Sequence, residues 1–131
     1  MQYLIDTDIC IYWLRGKTSV RDRLLEIGWA EVAICVITVS ELYFGAYNST
    51  KVEQNLATAD NFIRNISVLF LDQSLKKFGE IKAKLRKAGT PVADFDLLIA
   101  SVAIRENLIL VTNNIRHYQR IPNIQLENWS Q

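Results

Sequence analysis

The chain reads as an α/β sandwich with a mostly parallel central sheet, on three observations. Short aliphatic and β-branched runs alternate with longer stretches whose apolar residues recur every three or four positions. The run Leu108–Val111 is continuously apolar, as expected of a strand covered on both faces in the middle of a parallel sheet. Acidic residues gather just past strand ends, and in a parallel sheet those ends share one edge, where ligands bind.

The first strand is Tyr3-Leu4-Ile5, closed by Asp6 and followed by a short helix through Ile9, Tyr12 and Trp13 to Gly16. Val20, Leu24, Leu25 and Ile27 place a second helix from about Ser19 to Gly28. Val32–Ile37 is β-branched and reads as a buried strand. Thr38-Val39-Ser40-Glu41 then fits a capping box, with Thr38 as N-cap and Glu41 three residues on, opening a helix toward Tyr47. Leu56, Phe62, Ile63 and Ile66 suggest a helix from about Lys51. Val68–Leu71 is a short strand, and Asp72 is a candidate cap for a helix with Leu75, Phe78, Ile81 and Leu85 on one face. After the break at Gly89-Thr90-Pro91, Asp94 is a plausible N-cap for a nearly all-apolar helix, Leu97–Ile104, that should be buried. Leu108–Val111 and a last strand around Ile124–Leu126 complete the pattern.

The 131 residues suit one domain, 1–131, with one proper core. No apolar run approaches the ~20 residues of a membrane span, and Asp6 interrupts what could pass for a signal peptide. Cys10 and Cys35 lie among apolar neighbours without CxxC spacing, which suits buried free thiols and the cytoplasm. Net charge is +1, divided as −2 over residues 1–66 and +3 over residues 67–131. The excess is concentrated in Lys76, Lys77, Lys82, Lys84, Arg86 and Lys87. Such a stretch either tracks phosphates or is the solvated face of an amphipathic helix.

Asp6, Glu41 and Asp96 follow three different elements, so the topology brings them together. Converging carboxylates resist ionising together unless a cation neutralises them. Mg2+ takes oxygen ligands and keeps several waters, so a few carboxylates suffice; such a centre serves in-line attack on a phosphodiester. Each acid has a second reading: Glu41 closes the capping box, while Asp94 and Asp96 favour a helix N-terminus through its dipole. Asp6 is harder to explain so, because a carboxylate ending a buried strand is costly unless paired. His117 is the only histidine, so a Ser-His-Asp triad would have to be built around it, and no Gly-rich phosphate loop occurs.

These residues carry a resemblance. Leu4-Ile5-Asp6-Thr7-Asp8 resembles the opening of PIN-domain nucleases. Ile37-Thr38-Val39-Ser40-Glu41-Leu42-Tyr43-Phe44-Gly45 is similar to their second block, and Gly89 to Ala100, with its acid at Asp96, to the third. Val111-Thr112-Asn113-Asn114 with Ile115-Arg116-His117-Tyr118 resembles the fourth. Ile121-Pro122 through Leu126-Glu127-Asn128-Trp129 resembles the ending of the branch formed by VapC toxins of bacterial toxin–antitoxin pairs.

The resemblance implies a three-layer α/β/α PIN fold and an endoribonuclease dependent on Mg2+, with Mn2+ as substitute, that cuts structured RNA, often tRNA, with initiator tRNA the subgroup guess. It implies Asp6, Glu41 and Asp96 as metal ligands and catalytic residues, a VapB-type antitoxin that blocks the site and alone contacts operator DNA, and a homodimer. This sequence departs from the pattern at Asp8, where asparagine is common, and at Asn114 and His117, one of which is often acidic. Thr112 and Asn114 are then candidates for a weak second metal site, and His117 is expected at the surface near the RNA path rather than as a metal ligand. Two alternatives are a phosphatase of the haloacid-dehalogenase type, using Asp6-Thr7-Asp8 with Asp6 as nucleophile, and a PIN-like protein that binds RNA or a partner without cutting.

Overall fold

In the computed structural model, which describes residues 1–131, five short strands form one wholly parallel sheet. They are β1 (Tyr3–Ile5), β2 (Val32–Cys35), β3 (Ser67–Leu69), β4 (Ile109–Val111) and β5 (Gln125–Glu127), in the order β3-β2-β1-β4-β5. The helices are α1 (Thr7–Leu14), α2 (Thr18–Ile27), α3 (Val36–Tyr47), α4 (Val52–Arg64), α5 (Leu75–Lys87), α6 (Asp94–Arg105) and α7 (Ile115–Tyr118).

Successive strand side chains point to opposite faces, and both faces are buried. Tyr3 and Ile5 of β1, with Val32 and Ile34 of β2, pack with Ile9, Val20, Leu24, Phe62 and Trp129. Leu4, Ala33 and Cys35, one residue out of phase, pack with Ile81, Leu85, Leu97, Val102 and Tyr118. The sheet is thus the middle of three layers. Each buried Leu or Ile contributes roughly 1.5–3 kcal/mol, which lets strands of three or four residues hold. Cys10 and Cys35 are buried free thiols, and no helix is long and apolar enough to cross a membrane.

Three local expectations are corrected. The strand expected over Val32–Ile37 stops at Cys35, and α3 begins at Val36, so Thr38 lies inside the helix and no capping box forms. The β-branched residues cost the helix only tenths of a kcal/mol. Packing outweighs that, since Val36 and Ile37 lie against the α5–α6 side of the core and Thr38 is fully buried. Asp72 does not cap α5, whose N-cap is Ser74. Ala93, not Asp94, is the N-cap of α6; Asp94 lies in its first turn, with Oδ1 2.8 Å from Lys82 Nζ.

Candidate acidic active site

The chain leaves the central β1 for β2 and β3 on one side, then returns to build β4 and β5 on the other. Such a reversal opens a crevice at the carboxyl ends of the two strands that flank it. Ile5 pairs with Val111, so the residues that follow, Asp6 and Thr112, meet there. The Asp6 N–H donates to Val111 O at 2.9 Å. Asp6 is buried; its Oδ1 accepts the Thr7 N–H at 2.9 Å and its Oδ2 the Thr112 hydroxyl at 2.8 Å. Burial, then the charge of Asp8, pushes the Asp6 carboxyl up to about 7, against the downward pull of the Thr112 and Thr7 hydrogen bonds. Asp96 adds a smaller upward push.

Asp8, two residues on, accepts the backbone N–H groups of Ile9 at 2.7 Å and Asn113 at 3.0 Å. Burial raises its pKa, and those two bonds oppose the rise. The extra acid of this sequence is therefore tied to the end of β4 by the backbone.

Glu41 lies on α3 and reaches α1. Thr7 Oγ1 is 2.6 Å from Glu41 Oε1 and 3.0 Å from Thr38 Oγ1. A hydroxyl has one proton; the carboxylate takes that of Thr7, leaving the Thr38 hydroxyl to donate to Thr7. The residue pair of the expected capping box thus serves to anchor Glu41 against the neighbouring helix.

Asp96 sits in the first turn of α6, and its Oδ2 lies 3.1 Å from His117 Nε2 on α7. His117, expected at the surface near the RNA path, is a partly buried neighbour of a site acid. Tyr118, next in the chain, is 1% exposed, yet its hydroxyl has no hydrogen-bond partner. Burial, then the charges of Asp6 and Asp96, drives its pKa far up, so it stays a protonated donor.

Thr112 is placed beside Asp6 as anticipated, but its proton is committed to Asp6 and its oxygen accepts the Asn114 N–H at 3.0 Å. Asn114 joins the site through its backbone; its side chain is exposed and makes no hydrogen bond. Thr7, Asn113 and Tyr118 lie inside the first and fourth blocks but are not singled out by the sequence as site residues; Thr7 alone is flanked by two acids.

No lysine or arginine forms an ion pair with Asp6, Asp8, Glu41 or Asp96. No three His, Cys, Asp or Glu side chains are close enough to enclose an ion unaided. A set of loosely spaced carboxylates with uncompensated charge, one of them beside an imidazole, fits a divalent cation that keeps part of its water shell.

The fold and this acidic crevice define a nuclease-type α/β domain, and residues 3–123 match the PIN domain family. The chain is 37% identical over 131 residues to the tRNA(fMet)-specific endonuclease VapC of Salmonella typhimurium, covering 98% of both. It is 39% identical over 132 residues to Ribonuclease VapC2 of Rickettsia felis, again covering 98% of both. Among solved structures it is similar to DNA-bound VapBC from Salmonella typhimurium, with a TM-score of 0.93, 37% identity and 98% of both chains covered. The chain belongs to the VapC ribonucleases of the PIN-domain family.

Proposed function

We propose that this chain is a cytoplasmic toxin of a toxin–antitoxin pair, a metal-dependent endoribonuclease that cuts tRNA, initiator tRNA first, and so arrests translation. The observation that carries the metal-dependent reading is Asp6: a buried carboxylate held up to about 7 by burial and Asp8, facing Asp96, with no cationic side chain to offset it. The substrate follows from the Salmonella typhimurium relative, named for tRNA(fMet).

When bound, Mg2+ or Mn2+ supplies Lewis-acid stabilisation of charge at the phosphodiester and a nucleophile at neutral pH. Asp6 and Asp96 hold the cation, and Glu41 completes the set of catalytic acids. Thr112 and the Thr7 N–H keep Asp6 in one orientation; the Thr7 hydroxyl does the same for Glu41. Thr112 and Asn114 border the place where a second, weaker ion would bind. Both Asp6 oxygens are occupied by fixed donors, which suits a ligand and not the nucleophile of the phosphatase alternative.

The same negative charge supports a VapB-type partner. A groove of about 360 Å³ between α1, α3 and α4 runs over Ile11, Leu14, Leu42 and Ala46 and includes Glu41. An antitoxin segment lying in it can carry an arginine or lysine toward the acids, while its own DNA-binding part contacts the operator. A homodimer is proposed as the toxin's assembly, to be read from its mass in solution.

Mapping RNA 5′ ends after brief induction, with Asp96→Asn as control, tests the activity. New ends in initiator tRNA that need Asp96 are expected. Purified protein that binds RNA but never cuts it with either metal would select the non-cleaving alternative. Co-expression of the neighbouring small gene should restore growth.

A further inference from the structure

We infer that His117 Nε2 and Asp96 Oδ2 are adjacent ligands of one divalent cation, making this a mixed nitrogen–oxygen centre that favours Mn2+ over Mg2+. The inference rests on the proposed reading of Asp6 and Asp96 as metal ligands. It concerns the one histidine of the chain, at one of the two positions where the resembled pattern often carries an acid.

The geometry is the first argument. Donors about 2.0–2.1 Å from an octahedral ion stand roughly 2.8–3.0 Å apart when adjacent, and Nε2 and Oδ2 are 3.1 Å apart. Asp96 Oδ2 has no other partner, and neither residue has any other ion pair.

The second argument is that the imidazole is held in place. Tyr118 is anchored in the core, and its ring meets that of His117 edge-on at 5.5 Å between centroids. The His117 N–H donates to Asn114 O at 3.1 Å, fixing the first turn of α7. A surface histidine needs no such support.

The third observation is geometric: the Tyr118 hydroxyl is buried and has no hydrogen-bond partner. An unpaired buried hydroxyl costs about 1–3 kcal/mol. A water in the ion's shell is an acceptor it could reach, so the unmet donor points to a hydrated ligand in this pocket.

Nitrogen donors shift preference away from Mg2+, which is held by oxygen, toward first-row transition ions. Exchanging the family's acid for an imidazole also removes a negative charge, which weakens Mg2+ further.

The test uses the whole protein without a tag, so that His117 is the only imidazole. Pulsed electron paramagnetic resonance of bound Mn2+ should show a 14N coupling that changes to 15N when only histidine is 15N-labelled. The coupling should vanish in His117→Ala and His117→Gln. Calorimetric Mn2+ affinity should fall at least about tenfold in both, since loss even of an outer-shell partner costs about that much, while Mg2+ affinity, from competition with Mn2+, should change less than about threefold. His117→Glu should raise Mg2+ affinity and lower the Mn2+/Mg2+ ratio. Bound Mn2+ without histidine coupling, and an unchanged ratio in the variants, would overturn the inference and leave His117 as a hydrogen-bond donor to Asp96. Mn2+ binding unaffected by Asp96→Asn would instead overturn the reading of the centre itself.

Discussion

Asp6 and Asp96 face the same crevice on opposite terms. Asp6 ends a central strand, is buried, and has both oxygens fixed by an N–H and a hydroxyl. Asp96 rides the first turn of a helix, its side chain about a third exposed at 34%, and touches only His117. The difference shows how the site divides its labour. The strand-borne acid is rigid and held against its own desolvation by the fold, whereas the helix-borne acid is solvated and free to adjust. Function should need both equally; stability should distinguish them.

The largest effect is therefore shared. Asp6→Asn and Asp96→Asn should each reduce RNA cleavage at least ~100-fold, since losing a ligand forfeits several kcal/mol of charge stabilisation. The folded Asp96→Asn protein cutting RNA at the native rate would show the site assignment to be wrong.

Stability should separate the two. The Asp6 pKa is raised by folding from 3.8 to about 7, so between those values the folded state binds more protons than the unfolded state. Stability then falls as pH rises through that window, by up to about 4 kcal/mol once both states are ionised. Asp6→Asn removes that penalty but lets one of two donors go unmatched, so metal-free protein should gain about 2–3 kcal/mol at pH 8 and lose about 1 kcal/mol at pH 4. Asp96→Asn should stay within about 0.5 kcal/mol at both. Urea denaturation at the two pH values measures this; equal shifts for the two variants would erase the contrast. Adding Mn2+ should stabilise the native protein and not Asp6→Asn.

What the sequence showed of this division follows from how local each signal was. Alternation of apolar runs exposed the parallel sheet, and the acids past the strand ends exposed the crevice, because both depend on neighbours in the chain. The capping box misled for a physical reason. Thr38 and Glu41 have the right spacing, but the bonds they make run to Thr7, 31 and 34 residues away. Only tertiary structure decides between a hydroxyl that caps its own helix and one that anchors the next. Likewise α7 is four residues long, too short for any periodicity, so the approach of His117 to Asp96 and the burial of Tyr118 left no trace. The basic stretch lies on α5, with Ile81 and Leu85 inward, Lys77 paired with Glu80 and Lys82 with Asp94.

A smaller effect probes the rigidity of Asp6. Thr112→Val keeps the shape and deletes the hydroxyl that donates to Oδ2. A hydrogen bond to a charged group is worth about 1.5–3 kcal/mol, and this one holds the Asp6 pKa down. Its loss should raise that pKa further, so cleavage should fall severalfold at pH 7 and recover partly at pH 8–9. A pH–rate profile superimposable on the native one would mean that Asp6 does not depend on Thr112.

The smallest effect lies at Asn114, where a second ion would need a ligand. Its side chain is exposed and unbonded, while its N–H holds Thr112. An exposed charge acts through high dielectric and salt, so a carboxylate here adds only about 0.5 kcal/mol to cation binding, close to twofold. Asn114→Asp should lower the Mn2+ concentration for half-maximal cleavage about two- to threefold, and Asn114→Ala should raise it less than twofold. Neither should disturb the Thr112 bond, which uses the backbone, so the pH profile should stay native in both. Unchanged metal curves for both variants would remove Asn114 from the site. A shift of tenfold or more would mean the opposite: the side chain turns inward and coordinates directly, so that the solvated wall of the crevice, like the buried one, closes around the ion.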